Sequence, residues 1–131
     1  MLAPLAAGVV FGGATTGLLR ATGMDRDRAT GPILLAAIAL FYPVFAIEAG
    51  TGPEIALHIA IALAFLGVAV IGHARALPLV AAAMIGHGLF DISAHVASDG
   101  PAPRWWGPFC LGVDVVLGGW FLFARPWQRG A

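Results

Sequence analysis

Five long apolar blocks, separated by short polar gaps, dominate this sequence. Each block approaches the length of about 20 residues that a helix needs to cross a bilayer. In a soluble domain, apolar residues would instead alternate with polar ones at helix or strand spacing. The composition agrees, since 60% of the 131 residues are hydrophobic and only 11% are charged. The pattern therefore predicts an all-α membrane bundle of about five transmembrane helices.

The predicted spans are residues 2–19, 32–49, 54–72, 77–96 and 107–124. The second span begins at Pro32, a favourable residue for a first helical turn, and Pro43 predicts a kink within it. Several spans are short, which implies tilt or local thinning of the bilayer. No internal repeat and no long polar segment is present, so residues 1–131 are predicted to form a single transmembrane domain.

The placement of arginine predicts the orientation of the chain in the membrane. Six of the seven arginines fall in the first loop, the third loop and the C-terminal tail: Arg20, Arg26, Arg28, Arg75, Arg125 and Arg129. With five spans these three segments lie on one side, and only Arg104 lies on the other. Cytoplasmic loops carry the excess of positive residues. We therefore predict an external N-terminus and a cytoplasmic C-terminus, in a bacterial inner membrane.

The charged residues also exclude some classes of function. The formal net charge is zero and no basic patch is present, which argues against nucleic-acid binding. The absence of lysine excludes Schiff-base and P-loop chemistry. The lipid bilayer is the expected partner, and the small-xxx-small spacing in GVVFG and GATTG leaves a homodimer or a larger membrane complex open. Asp25 and Asp27 alternate with arginines in the first loop and are expected in a solvated turn.

Ionisable residues recur at four-residue steps inside three of the spans. Such steps place side chains on one helix face. The residues are Glu54 and His58 in the third span, His87, Asp91 and His95 in the fourth, and Cys110 and Asp114 in the fifth. The predicted topology places all of them in the outer half of the membrane. Because one ionisable group at membrane depth costs roughly 2.5–3.5 kcal/mol, so many of them need a compensating interaction.

A transition-metal site is the first interpretation of this set. Imidazole and carboxylate groups are ligands for zinc, iron, manganese or copper, and two ligands four residues apart on a helix can hold one ion. The predicted ligands are His58, His87, Asp91, His95 and Asp114. Glu54 or Glu48 could be a further ligand, a group that orients a ligand, or the general base, and Asp114 is a candidate catalytic or orienting group. A metal with an open position could then support redox or hydrolytic chemistry on a small or lipid-soluble molecule.

Three other interpretations remain open from the sequence. The polar groups could form only a hydrogen-bond network that ties the helices together, as buried polar residues in membrane bundles often do. The chain could be an accessory or structural subunit of a larger membrane complex, with a shared cofactor. A proton-coupled transporter is also consistent with ionisable residues inside a membrane, although the inner half of the spans is nearly all apolar. Whether the protein is an enzyme is not decided by its sequence.

The last third of the chain carries a recognisable order of motifs. HxxxDxxxH at residues 87–95 is followed by a proline-bearing loop with WWGPFC and then by Cys110-x-x-x-Asp114. In this order of motifs the chain resembles a group of small uncharacterised bacterial integral membrane proteins. It lacks the adjacent histidine pair that those proteins carry. The resemblance implies that these residues form one unit, and it brings no activity with it.

Overall fold

The chain forms a bundle of membrane-length helices. The computed structural model describes residues 1–97 and 100–129, without the side chains of residues 95–97, and this part contains helices and no strand. Five of its helices are long and apolar enough to cross a membrane, which confirms the predicted fold class. They are α1 (Leu2–Thr22), α2 (Thr30–Ala49), α3 (Gly52–Arg75), α4 (Leu77–Ala97) and α5 (Trp106–Gly119), followed by a π turn at Trp120–Ala124 and a 3-10 turn at Pro126–Arg129.

Local signals in the sequence set the helix ends. Gly23 ends α1 in the left-handed conformation (φ 74°), which glycine adopts without steric cost. At the start of α3, the backbone N–H and the hydroxyl of Thr51 both donate to Glu54 Oε2, at 2.7 and 3.0 Å, in a capping box. Helix α2 is interrupted at Leu40, because Pro43 has no N–H for the preceding turn and its ring crowds that turn.

Most of the arginine-bearing segments meet at one end of the bundle. The turn after α1 packs against the C-terminal 3-10 turn. The Arg28 guanidinium donates a hydrogen bond of 3.3 Å to the carbonyl oxygen of His73, near the end of α3. The first loop, the α3–α4 junction and the C-terminal segment therefore form what we call the arginine-rich end. The assignment of this end to the cytoplasm stays a prediction from the charge bias.

The first loop differs from the expected solvated turn at one residue. Asp27 is exposed and accepts a hydrogen bond of 2.8 Å from the backbone N–H of Ala29. Asp25 is fully buried, and neither of its carboxylate oxygens has a hydrogen-bond partner among the described residues. The expectation was wrong for Asp25, because the C-terminal turn covers this part of the loop.

Helix α5 lies between α1 and α4 and makes extensive contacts with both. Glycines allow the close approach on both sides. A Cβ atom at Gly112 would lie 2.6 Å from the carbonyl oxygen of Leu5 on α1, and one at Gly118 would lie 2.8 Å from that of Ala81 on α4. On α1, Gly8 and Gly12 of the GVVFG motif face α5, whereas Gly13 and Gly17 of GATTG have open space beside them. The first motif therefore serves packing within the chain.

The buried residues of the bundle change from apolar to polar along its length. The apolar core lies towards the arginine-rich end and includes Leu35, Val80, Met84, Leu117 and Phe121. Farther along the same face of α4, the buried residues become polar, because His87 and Asp91 follow Met84. The apolar core thus anchors the helices on one side of a polar cluster.

Candidate metal centre

Two pairs of polar residues face each other across the α4–α5 contact. His87 and Asp91 are four residues apart on α4, and Cys110 and Asp114 are four residues apart on α5. Because the helices are antiparallel, His87 lies opposite Asp114 and Asp91 lies opposite Cys110. The close approach of the backbones positions the pairs, since a Cβ atom at Gly88 would lie only 3.0 Å from the Cβ of Asp114.

The imidazole of His87 lies between the two aspartates. Its Nδ1 is 2.9 Å from Asp114 Oδ2 and 3.4 Å from Asp91 Oδ2. One possible ligand atom from each of the three residues lies within 4.8 Å of the other two. All three side chains are out of contact with the surface, at 2% exposure for His87 and 0% for both aspartates. His87, Asp91 and Asp114, which we call the polar triad, could therefore hold a metal ion.

Hydrogen bonds satisfy only a small part of the polar triad. With a proton on Nδ1, His87 donates to Asp114 Oδ2. Among the described residues, both oxygens of Asp91 and Oδ1 of Asp114 accept no hydrogen bond of good geometry, although Asp91 Oδ2 lies 3.4 Å from His87 Nδ1 and Asp91 lies beside the Cys110 thiol. A buried carboxylate with so few partners is among the most costly groups in a protein interior. The triad is thus incomplete as a hydrogen-bond network.

Three aromatic residues, which we call the aromatic enclosure, cover the His87 and Asp91 side of the polar triad: Phe65, Phe90 and Tyr42. Phe65 of α3 meets the His87 ring edge-on at 4.9 Å, and Phe90 lies 6.0 Å from the same ring. Tyr42 of α2 packs against Phe90 at 5.7 Å and lies within electrostatic range of Asp91 and Cys110. Residues from α2 and α3 therefore cover the triad, and the low dielectric of these rings strengthens electrostatic interactions inside it.

The polar triad lies near the middle of the bundle rather than at a helix end. His87 is the midpoint of α4, about 15 Å from either end at 1.5 Å per residue. Asp114 is one residue from the midpoint of the helical stretch 106–124. Asp91 extends the triad by one turn towards the end opposite the arginines. The expected position in the outer half of the membrane depends on the orientation and stays a prediction.

His58 lies on α3 and is not a member of the triad. It is buried at 8% exposure, and its Nδ1 has no hydrogen-bond partner among the described residues. The ring of Tyr42 stacks on it, with centroids 5.1 Å apart and an interplanar angle of 21°. Tyr42 thus lies between His58 and Phe90, on the side of α4 that carries the triad. A ligand role for His58 remains a prediction that would require this stack to move.

The remaining predicted site residues, Glu54 and His95, lie towards the end of the bundle opposite the arginine-rich end. Glu54 is one turn before His58 on α3, and one of its oxygens is occupied by the helix cap described above. The sequence interpretation of Glu54 as a general base did not include this structural role in the helix cap. His95 is on α4, but its side chain lies outside the described residues, so its predicted role as a ligand stays a prediction.

The aromatic enclosure was not anticipated from the sequence. Phe65 and Phe90 belong to apolar runs, and their positions in the sequence do not distinguish them from residues that face lipid. Only the helix packing reveals their contact with His87. Cys110 and Tyr42 are easier to single out in the sequence, because each is the single residue of its type in the chain. Their nearness to Asp91 depends on how α2 and α5 pack against α4.

No protein-family model, curated protein or solved structure matches this chain. The resemblance of the last third to small bacterial membrane proteins therefore stays a prediction. Function must be inferred from the site itself, because a helical bundle does not specify one.

Proposed function

We propose that this chain is a small integral membrane metalloprotein in which His87, Asp91 and Asp114 hold a transition-metal ion. The carrying observation is that three oxygens of these buried carboxylates accept no hydrogen bond from the described residues. A metal ion would bind these oxygens directly. It would also justify placing two acids in the middle of a membrane bundle.

The distances within the triad support this proposal. Two donors that each lie about 2.1 Å from an ion are about 3.0 Å apart at a right angle and about 3.4 Å apart at the tetrahedral angle. The separations of His87 Nδ1 from the two aspartates are 2.9 and 3.4 Å. If Nδ1 carries no proton, an imidazole lone pair faces a carboxylate oxygen at the shorter distance. A cation between them turns that repulsion into attraction.

Charge balance favours a divalent ion. Two carboxylates and a neutral imidazole carry two negative charges, which are costly to bury in a low-dielectric interior. A divalent cation neutralises them, whereas a proton on the imidazole neutralises only one. Transition metals suit the mixed nitrogen and oxygen donors better than magnesium or calcium, which prefer oxygen alone.

Three protein ligands leave one coordination position on a four-coordinate ion, and two on a five-coordinate ion, for water, dioxygen or a substrate. The aromatic enclosure limits the access of water to that position and suits a small or lipid-soluble molecule. We therefore propose redox or hydrolytic chemistry at the bound ion. A helix-tying network is the competing function of the triad, and metal analysis separates the two.

The first test is the metal content of the detergent-purified protein after removal of any affinity tag. We expect close to one transition-metal ion per chain in the wild type and almost none in Asp91→Asn. This substitution keeps the shape of the side chain but removes its charge and one donor oxygen. Asp27→Asn is the matched control, because Asp27 is an exposed acid in the first loop, outside the triad, and asparagine keeps the oxygen that accepts from Ala29 N–H. Inductively coupled plasma mass spectrometry measures the metal in all three proteins.

The opposite result is equally informative. A folded wild-type protein that stays free of metal, even after it is offered zinc, iron, manganese and copper, would contradict the metal site. An unchanged metal content in Asp91→Asn would show that any bound metal lies elsewhere.

A substitution at Gly88 keeps every proposed ligand and disturbs only the geometry of the site. Gly88→Ala places a methyl group 3.0 Å from Asp114 Cβ and 3.3 Å from Leu111 Cα, so α5 must move. We expect metal affinity to fall about 10- to 100-fold, the range seen when the support of a ligand is lost. Gly86→Ala is the control on the same helix, since its Cβ meets no atom within 4 Å. Competition with a chelator of known affinity measures both, and equal affinities would argue against a site between α4 and α5.

A further inference from the structure

We infer that Cys110 is a fourth protein ligand, so that the site has a His, two Asp and a Cys and selects a thiophilic transition metal. This inference rests on the proposed metal site. It goes beyond it by assigning a donor outside the triad and by restricting the class of ion.

The arrangement of the two helices brings Cys110 to the site. Cys110 and Asp114 share a face of α5, as His87 and Asp91 share a face of α4. The α4–α5 contact therefore brings together four polar side chains, two from each helix. Three of them form the triad, and Cys110 lies beside Asp91.

The surroundings of Cys110 support a ligand role. Cys110 is buried at 6% exposure and carries a free thiol. This thiol lies within hydrogen-bonding reach of the carboxylate of Asp91, which is fully buried. An apolar residue at this position would pack in a lipid-embedded helix but would remove this polar contact to Asp91. Cys110 is not among the three residues whose donor atoms lie within 4.8 Å of one another, so its ligation requires its side chain to move.

A thiolate ligand narrows the choice of metal. Thiolates favour zinc, iron, cobalt and copper over magnesium, calcium and manganese. With a divalent ion, a thiolate and two carboxylates leave one net negative charge, one more than the triad alone; Cys₃His zinc sites carry the same net charge, so protein interiors tolerate it. The ion expected at this site is therefore a soft or borderline transition-metal ion.

Cobalt(II) is the probe for this inference, because it replaces zinc or iron and reports its ligands by absorption. We expect the metal-depleted wild-type protein to bind Co²⁺ with visible ligand-field bands and an intense near-ultraviolet thiolate-to-cobalt band. Adding Zn²⁺ should abolish both, whereas excess Mg²⁺ should leave them unchanged. Cys110→Ser should lose the thiolate band, keep ligand-field bands, and bind Co²⁺ at least about tenfold more weakly.

The outcomes separate this inference from the proposal on which it rests. Ligand-field bands without a thiolate band in the wild type would overturn the role of Cys110 and leave the triad as the metal site. No Co²⁺ binding by a folded protein, together with no zinc, iron or copper binding, would overturn the metal site and the inference with it. If Cys110→Ser does not fold, the wild-type thiolate band and its displacement by Zn²⁺ still decide the question. Asp27→Asn should reproduce the wild-type spectrum.

Discussion

Gly8→Ala is expected to loosen α1 from the bundle. A Cβ atom at Gly8 would clash with the carbonyl oxygen of Phe109 on α5. Because this is a backbone atom and not the end of a flexible side chain, the helices themselves must move apart. Helix α1 has few contacts elsewhere, since it is the least buried of the five spans and packs principally on α5. Overpacking typically costs about 1–3 kcal/mol, and a backbone clash belongs at the upper end of that range.

The expected shift in the thermal midpoint is on the order of 10 °C, because about 1 kcal/mol moves the midpoint by roughly 4 °C in a domain between the small and the large size classes. Tryptophan fluorescence at a fixed heating rate in one detergent measures it, since unfolding of a membrane protein can be irreversible. Gly13→Ala is the matched control on the same helix, where the new methyl group meets nothing within 4 Å. A similar midpoint in the two variants would mean that α1 does not pack on α5 through Gly8.

Gly118→Ala is expected to affect stability and the metal site together. Its Cβ would lie 2.8 Å from the carbonyl oxygen of Ala81 and 2.7 Å from Cγ1 of Ile85, so α4 and α5 must separate. Gly118 is one turn from Asp114, towards the arginine-rich end. The separation therefore moves Asp114 away from His87, whose hydrogen-bond distance is 2.9 Å in the wild type. We expect a midpoint lowered on the order of 10 °C and a metal content well below that of the wild type.

The adjacent residue supplies the control. Gly119→Ala introduces the same methyl group one position along the helix, where no atom lies within 4 Å. Both variants are measured for thermal midpoint and for metal per chain. A stable Gly118→Ala protein with full metal content would contradict the close α4–α5 contact, whereas a loss of stability without a loss of metal would place the ion outside this contact.

Much of the fold follows from the sequence because a membrane helix must satisfy its own backbone hydrogen bonds. Apolar length then defines the spans, and local signals such as Gly23, Pro43 and the Thr51–Glu54 box define their ends. The parity of five spans predicted that the arginine-bearing segments would share one side. The contact between Arg28 and His73 shows that two of these segments do meet.

The candidate site could be predicted only in part. The four-residue spacing of His87 and Asp91 required that they share a face of α4, and the same rule applied to Cys110 and Asp114. Spacing cannot determine which helix that face contacts. His58 satisfied the same rule within α3, yet the structure places Tyr42 against its ring.

The sequence by itself determined the number of helices, their lengths and the pairs of polar residues on each helix face, because these depend on hydropathy and on a fixed helical period. Only the tertiary structure decided that α4 and α5 meet at glycines and that Asp114 reaches His87 while His58 stays apart. Packing in lipid depends on the shapes of whole helix surfaces, and the lipid is as apolar as most of those surfaces. The choice of neighbours is therefore made by close backbone approach and by buried polar groups, and neither is visible along a single helix.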